Sequence, residues 1–172
     1  MDIELLKYPL GKFNAEQKVE DFQLSKLMKD IAILPTQLYE QVAKMSAKQL
    51  NTAYRPGGWT GKQVIHHLAD SHMHAHVRFI LALTENQPVI KPYNEQLVAD
   101  LPFIQHMAVE VSLDFIKHLH QRWFFLLQSM QLHEFDKTYM HPQYNRVYPL
   151  RLALASYAWH GKHHLSHLKL IH

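Results

Sequence analysis

Histidine is the residue type in this chain whose number and spacing point to chemistry. The chain of 172 residues contains 15 histidines, and most of them lie in two segments, 66–76 and 160–167. A transition metal ion binds several neutral imidazoles, and two imidazoles from one helix reach the same ion when they are four residues apart. The later segment offers two such pairs, His160 with His164 and His163 with His167. This spacing predicts a metal site, although the glutamate of an HExxH protease helix is missing.

The apolar pattern of the last predicted helix separates the two pairs. At about 100° per residue, its apolar residues fall on one stripe that must face the core. The stripe consists of Leu150, Leu154, Tyr157, Gly161, Leu165 and Leu168. His160 and His164 flank this stripe, within roughly 40–100° of its centre. His163 and His167 lie roughly 120–160° away and are predicted to face mostly solvent.

An earlier helix must supply the third ligand. Its apolar stripe consists of Val64, Leu68, Ala75, Phe79 and Ala82. His66 is predicted to point away from the core, while His67 flanks the stripe and His72 sits within it. Helical geometry therefore leaves both His67 and His72 open as the third ligand. The other histidines of the two segments are expected mostly at the surface or in contact with the ligands. They are His66, His72, His74, His76, His163 and His167, of which His72 is also the alternative third ligand.

Apolar residues at helical spacing predict four long helices. Their predicted bounds are 14–45, 60–85, 110–130 and 149–172. Pro35 should kink or divide the first helix. Capping boxes at Ser46 and Thr60 should start one short helical turn and the second long helix. A shorter helical piece is expected at about 94–106, and the aromatic residues 123–125 should pack in the core.

The remaining segments complete the predicted architecture. Residues 1–13 are expected to form an extended arm, and residues 138–148 a small hairpin or extended excursion, with Pro142 and Asn145 in the turn. The fold class is therefore all-α, a four-helix bundle with a small extended hairpin before the last helix. We expect residues 1–172 to form a single domain, in which the long middle connection permits a crossover.

Composition and charge exclude several classes of function. The net charge is +3, but the basic residues are scattered, which argues against nucleic-acid binding. The chain has no cysteine, so disulfides, thiolate ligands and a cysteine nucleophile are excluded. No apolar run reaches the roughly 18 residues of a membrane span, and the first residues lack a secretory pattern. We expect a cytoplasmic protein.

Five motifs, in order and at matching separations, resemble the YfiT-like branch of the DinB superfamily of metal-dependent enzymes. The motifs are YPLG at 8–11, YRPGGWT at 54–60, QVIHHLADSH at 63–72, YMHP at 139–142 and WHGKHHLSH at 159–167. Together they extend through nearly the whole chain. Their combination is far more specific than any single motif.

The resemblance implies a four-helix bundle with one nickel or zinc ion held by three histidines. Carried over position by position, the ligands are His67, rather than His72, together with His160 and His164. The pair on the last helix is also the one that the apolar stripe favours. The resemblance further implies a small-molecule substrate and a homodimer, which the apolar residues Ile80 and Leu81 beside Phe79 would allow.

Three imidazoles leave at least one coordination position of the ion open, as in catalytic sites. A bound water there would have its pKa lowered towards about 7 and could attack a polarised substrate. Asp70, one turn after His67, could orient a ligand or act as a base, or could simply make a surface ion pair. Tyr54, Arg55, Trp59 and Tyr139 are candidates for the approach to the metal, and Arg55 could receive an anionic group.

Three functions from different classes follow from this reading. The first is a metal-dependent hydrolase. The second is a metal-dependent S-transferase that uses a low-molecular-weight thiol, which the resemblance also supports and which thiol-dependent turnover would reveal. The third is a non-enzymatic metal-binding or dimerisation module, which His67→Ala would reveal by lowering thermal stability without changing any tested activity.

Overall fold

Helices dominate the computed structural model, which describes residues 2–172. In chain order they are α1 (Ile3–Lys7), α2 (Asp21–Val42), α3 (Ala47–Leu50), α4 (Gly61–Thr84), α5 (Glu95–Ala99), α6 (Pro102–His106), α7 (Val109–Ser129) and α8 (Leu150–Lys169). The four long helices α2, α4, α7 and α8 confirm the predicted bundle. Within residues 2–172, none of the helices combines the length and the apolar character needed to cross a membrane.

The order of the helices around the bundle differs from the simplest up-and-down arrangement. Helix α2 packs against α7 and α8, and α4 packs against the same two helices. Consecutive helices α2 and α4 therefore lie diagonally, as do α7 and α8. The crossing connections are those at 43–60 and 130–149. The middle connection, where the sequence would have permitted a crossover, instead joins two neighbours.

Helix α2 begins later than predicted and is not divided. It starts at Asp21 rather than near residue 14, because Glu20 and Gln23 form a reciprocal capping box that fixes its first turn. Pro35 lies inside the helix, which continues to Val42. Since proline has no N–H, the carbonyl oxygen of Ile31, four residues earlier, has no backbone donor in the helix.

The N-terminal arm and the helical piece at 94–106 differ from the prediction, whereas the two capping boxes agree with it. The expected extended arm contains helix α1, and Met1 lies outside the described residues. The helical piece predicted at 94–106 is two helices, because Pro102 starts a new one at its first position. The boxes at Ser46 and Thr60 cap α3 and α4 as predicted.

The predicted hairpin is present immediately before the last helix. Strand β1 (Thr138–His141) pairs antiparallel with β2 (Arg146–Pro149). Asn145, with φ of 45°, adopts the left-handed conformation that the turn requires and that asparagine tolerates. Pro149 then occupies the N-cap position of α8. The hairpin is therefore joined directly to the helix that carries most of the candidate ligands.

The core contains both predicted apolar stripes. Every stripe residue of α4 and α8 named above is buried. Gly161 is required there by close packing, because a β-carbon would collide with the side chain of Leu34 on α2. The prediction for residues 123–125 was wrong in part: Trp123 is fully buried, whereas Phe125 is 73% exposed on the outer face of α7.

Candidate metal site

The side chains of His67, His160 and His164 converge between α4 and α8. One nitrogen atom from each imidazole lies within 4.8 Å of the other two. The Nε2 atoms of His67 and His160 are 3.1 Å apart. Bonds of about 2.0–2.1 Å to a tetrahedral ion place ligand nitrogens roughly 3.3 Å apart, so small side-chain rotations would bring all three nitrogens to one ion.

All three imidazoles are held in the neutral form that a metal ligand needs. Burial, and then the neighbouring His163 and His167, lower the pKa of His67 to about 3. Burial, with the surrounding histidines, lowers the pKa of His160 and of His164 well below the usual value. Neutral imidazoles offer a lone pair at one nitrogen, so the cluster has the donor chemistry of a transition-metal site.

A chain of hydrogen-bonded histidines fixes which nitrogen of His160 carries its proton. Nδ1 of His120 lies 2.6 Å from the Ile31 carbonyl oxygen, which can only accept, so this nitrogen donates. Nε2 of His120 then accepts from Nδ1 of His72 at 2.9 Å. Nε2 of His72 in turn accepts from Nδ1 of His160 at 3.2 Å. The lone pair of neutral His160 is thereby left on Nε2, which faces His67.

This chain runs through all four long helices, from α8 through α4 and α7 to α2. Its last acceptor is the Ile31 carbonyl that Pro35 leaves without a helical donor. The proline therefore explains how a buried helix carbonyl is free to accept from a side chain on another helix. The backbone hydrogen bond that Pro35 removes from α2 therefore allows the histidine chain to orient the side chain of His160 on α8.

A second, shorter chain orients His164. Nε2 of His167 lies 3.1 Å from the Lys7 carbonyl oxygen and must donate to it. Nδ1 of His167 can then accept from Nδ1 of His164, 3.3 Å away, which leaves the lone pair of His164 on Nε2. The ring of Tyr54 stacks on His167 with centroids 3.9 Å apart. Both candidate ligands on α8 are therefore connected to a backbone carbonyl through a chain of hydrogen bonds.

Two cavities reach the histidine cluster from different sides. The first has a volume of about 310 Å³, and the residues that line it include Tyr54, Arg55, Trp59, His160 and His164. The second has a volume of about 180 Å³, and the residues that line it include Arg78, Tyr139, His141, Tyr157 and His160. His160 and Glu95 line both cavities, so a small molecule in either cavity would lie beside the cluster.

Residues 33–168 match the family model of the DinB superfamily. The chain belongs to the DinB superfamily. Proteins of Bacillus cereus and Bacillus thuringiensis subsp. konkukian that carry the name "Putative metal-dependent hydrolase" are 42% identical to it over 163 residues, which cover 95% of this chain and 93% of theirs.

A solved structure is also similar to this DinB protein over nearly its whole length. YfiT from Bacillus subtilis, described as a probable metal-dependent hydrolase with an unusual four-helix bundle topology, has a TM-score of 0.93 and 37% identity. The match covers 96% of this chain and 94% of that chain. It confirms the predicted family and fold. The names of the relatives and the three-histidine cluster together support a divalent metal ion.

The predicted approach residues of this DinB protein lie where small molecules could reach the cluster. Tyr54, Arg55 and Trp59 line the larger cavity and Tyr139 the smaller one. The Trp59 ring lies 4.6 Å from the His67 ring and 6.2 Å from the His164 ring, between centroids. Its Nε1 donates to Gln96, so Trp59 is held against two of the candidate ligands.

Asp70 lines neither cavity. Its Oδ2 atom is buried without a hydrogen-bond partner among residues 2–172, and burial raises the pKa of the carboxyl group. The surface ion pair is therefore not formed, and a role in orienting a ligand or accepting a proton stays a prediction. Glu95 is the carboxylate that lines both cavities.

Several histidines expected at the surface are buried, and those predictions were wrong. His66 is buried because α7 covers it, and its Nδ1 lies 2.7 Å from the Ser112 hydroxyl. His163 and His167 are buried because the N-terminal segment covers the outer face of α8. Tyr8, just after α1, stacks on His163 with ring centroids 6.0 Å apart. A helical stripe calculation omits such covering segments.

The residues that sequence reasoning missed have no local motif. His120 enters the environment of the site because α7 packs against α4. Arg78 lies on α4 itself, the helix that carries His67. Glu95 comes from the short helix α5. Only for His120 did the sequence contain an indication. It lies four residues after Ile116, which faces the core, so helical spacing would place His120 on the same face of the helix.

Proposed function

We propose that this DinB protein is a metal-dependent hydrolase in which His67, His160 and His164 hold one divalent ion. The observation that carries the proposal is the convergence of three neutral imidazole nitrogens within 4.8 Å of one another, two of them on buried histidines and the third on partly exposed His160. The names of the relatives support the same class. Zinc and nickel are the ions proposed, because imidazole suits both.

The surrounding residues fit such an ion. Two of the three candidate ligands, His160 and His164, donate a hydrogen bond through the N–H of their second ring nitrogen. Each of these bonds begins a hydrogen-bond chain that ends at a backbone carbonyl. That arrangement is the usual way in which proteins orient a metal-bound histidine. His160 retains partial exposure, whereas His67 and His164 are buried, so the side of the cluster that substrate can reach is the side of His160.

The reaction proposed is hydrolysis, for which the bound ion supplies Lewis-acid activation of water. His72 and His120 hold the proton of His160 at Nδ1 and keep Nε2 free. Glu95 faces both cavities and is the group that we propose takes a proton from water. Burial raises the pKa of Glu95, and the charge of Arg78 opposes this shift. Trp59 covers one side of the cluster and limits access of bulk water.

The test is metal analysis and hydrolysis assays with protein that carries no histidine tag. His67→Ala and His164→Ala should each lower bound metal to well below one ion per chain and abolish turnover of any ester or amide that the parent cleaves. His118→Ala is the matched control, because His118 is an exposed histidine outside the cluster. Unchanged metal content in both cluster variants would refute the assignment.

A second candidate function is the thiol S-transferase, which the two cavities favour. Because two separate cavities meet at His160, two molecules could lie beside the ion at once, as a transfer reaction needs. Turnover of a chlorinated or epoxide compound only when a low-molecular-weight thiol is supplied would favour this function. Turnover without thiol, at the same rate as with it, would favour hydrolysis.

A homodimer is proposed as well. Ile80, on the outside of α4, is 37% exposed and Val77, one turn earlier, is 46% exposed, which gives α4 a partly apolar outer face. Two chains could bury this face against each other. Sedimentation of the parent and of Ile80→Lys should give a dimer and a monomer. A monomeric parent would refute the proposal.

A further inference from the structure

The wall of the smaller cavity beside the histidine cluster carries one positively charged side chain that the proposed metal site does not need, together with the carboxylate of Glu95. Its wall includes His160 together with Arg78, Tyr93, His141 and Tyr157. Because His160 forms part of the wall, a molecule bound in the cavity would also contact the proposed metal centre. The cavity therefore qualifies as a place for the part of the substrate that does not react.

Arg78 is the source of this charge. Its side chain is half-buried and its Nη1 atom donates to the Tyr157 hydroxyl at 2.5 Å. Within residues 2–172 it forms no ion pair with a carboxylate. A guanidinium keeps its charge under all ordinary conditions, and a partly buried charge usually has a counter-ion. The remaining donors of Arg78 are therefore available to an anion.

Two further polar atoms in the same wall lack partners. The Tyr93 hydroxyl and Nδ1 of His141 are buried and have no hydrogen-bond partner among the described residues. Buried polar atoms in folded proteins are nearly always hydrogen-bonded, and two that line one cavity can both be satisfied by a ligand with polar atoms. The Tyr157 hydroxyl accepts from Arg78, so its own hydrogen can also be donated to a ligand.

We propose that this cavity binds the carboxylate group of a small substrate, with Arg78 as its charged partner and the Tyr93 and Tyr157 hydroxyls as further donors. The proposal rests on the proposed function, since it names the substrate class of that site. A planar carboxylate matches the paired donors of one guanidinium. Glu95, in the same wall, disfavours a dianion such as a phosphate ester.

The size of the cavity limits the group that can enter. Its volume of about 180 Å³ corresponds to roughly six water molecules at ~30 Å³ each. A carboxylate with two or three attached carbon atoms fits this space. The scissile bond would then lie towards His160, where the larger cavity takes the rest of the molecule. Short-chain acids, or molecules that end in one, are the expected ligands.

The experiment is a titration of the full chain with propionate, followed through chemical-shift changes of imidazole nitrogen atoms, His141 included. Propionate should bind the parent with or without added zinc, and propionamide, its neutral analogue, should bind at least about 10-fold more weakly. Arg78→Gln should weaken propionate binding at least about 10-fold, and Arg78→Lys should lie between the two. Arg122→Gln, an exposed arginine on α7 that lines neither cavity, is the matched control and should bind propionate like the parent. Arg55→Gln tests the larger cavity in the same titration.

The outcomes separate this proposal from the proposed function. Equal propionate affinity in the parent and both Arg78 variants would overturn it, as would a loss confined to Arg55→Gln. Tighter binding of methyl phosphate than of propionate, dependent on Arg78, would overturn the carboxylate class. Zinc affinity is measured on the same samples. Propionate binding that depends on Arg78 in a chain that binds no zinc would sustain this proposal while refuting the metal site.

Discussion

Replacement of His120 by phenylalanine tests whether the buried histidine chain controls metal binding. His120 does not belong to the proposed ligand set, but it connects His72 to the Ile31 carbonyl. A phenyl ring keeps the shape and the stacking on His72, whose centroid is 4.9 Å away, and removes both hydrogen bonds. The variant therefore changes the hydrogen bonding of the chain with little change in packing.

The magnitude follows from the atoms left behind. The buried Nδ1–H of His72 and the Ile31 carbonyl lose their partners, and each unsatisfied group costs about 1–3 kcal/mol, so the free energy of unfolding should fall by about 2–6 kcal/mol. Without its anchor, His72 can turn its proton to Nε2. His160 then carries its own proton on Nε2, where the ion would bind. We expect metal affinity to fall about 10- to 100-fold.

The assay is competition for zinc and nickel against a chromophoric chelator at pH 7.5, with tag-free protein. Nitrogen-15 shifts of the imidazoles report the tautomer directly, and those of His160 should show Nδ1–H in the parent and a mixture in His120→Phe. His120→Gln offers one amide donor and one carbonyl acceptor in the same order, so it should recover part of the affinity. A purely structural role of His120 would not move the tautomer.

Ser112→Ala is the matched control. It removes the hydroxyl partner of buried His66 at the same interface between α4 and α7, and it should destabilise the fold without altering metal affinity. The reasoning is refuted if His120→Phe folds and binds zinc as tightly as the parent. It is refuted equally if Ser112→Ala loses as much affinity as His120→Phe does.

Three further predictions follow from the same structure. His167→Phe, which removes the donor to the Lys7 carbonyl, should weaken zinc binding about 10-fold or more in the same competition assay; unchanged affinity would contradict the role of the second chain. Burial lowers the pKa of His120 from 6.5 to about 4, so below pH 6.5 the unfolded chain gains a proton that the folded chain cannot. The free energy of unfolding, measured with urea, should therefore not change with pH above pH 6.5. Below pH 6.5 it should fall by about 1.4 kcal/mol per pH unit for each such histidine. A free energy of unfolding that is highest at pH 5 would be inconsistent with this. Gly161→Val should destabilise the fold by about 1–3 kcal/mol through its collision with Leu34, measured by the same unfolding, whereas Ser166→Ala on the same helix should have little effect.

The sequence alone determined the elements that carry the candidate site. Apolar spacing located α4 and α8, because a helix must bury one stripe wherever its neighbours lie. Capping boxes at Ser46 and Thr60 placed two helix starts correctly, since caps are local interactions of a few residues. The i, i+4 relation placed His160 and His164 on the same side of α8 for the same reason. Choosing His67 over His72 required the family resemblance.

Only the tertiary structure decided what surrounds the three histidines. The burial of His66 and His167 depends on segments far away in sequence, Ser112 on α7 and Lys7 on α1. The chain from His160 to Ile31 joins four helices whose order around the bundle no periodicity reveals. Helical spacing describes one helix at a time. Proton positions, cavity walls and the unpaired charge of Arg78 depend on which helices are neighbours, and long-range packing alone fixes that.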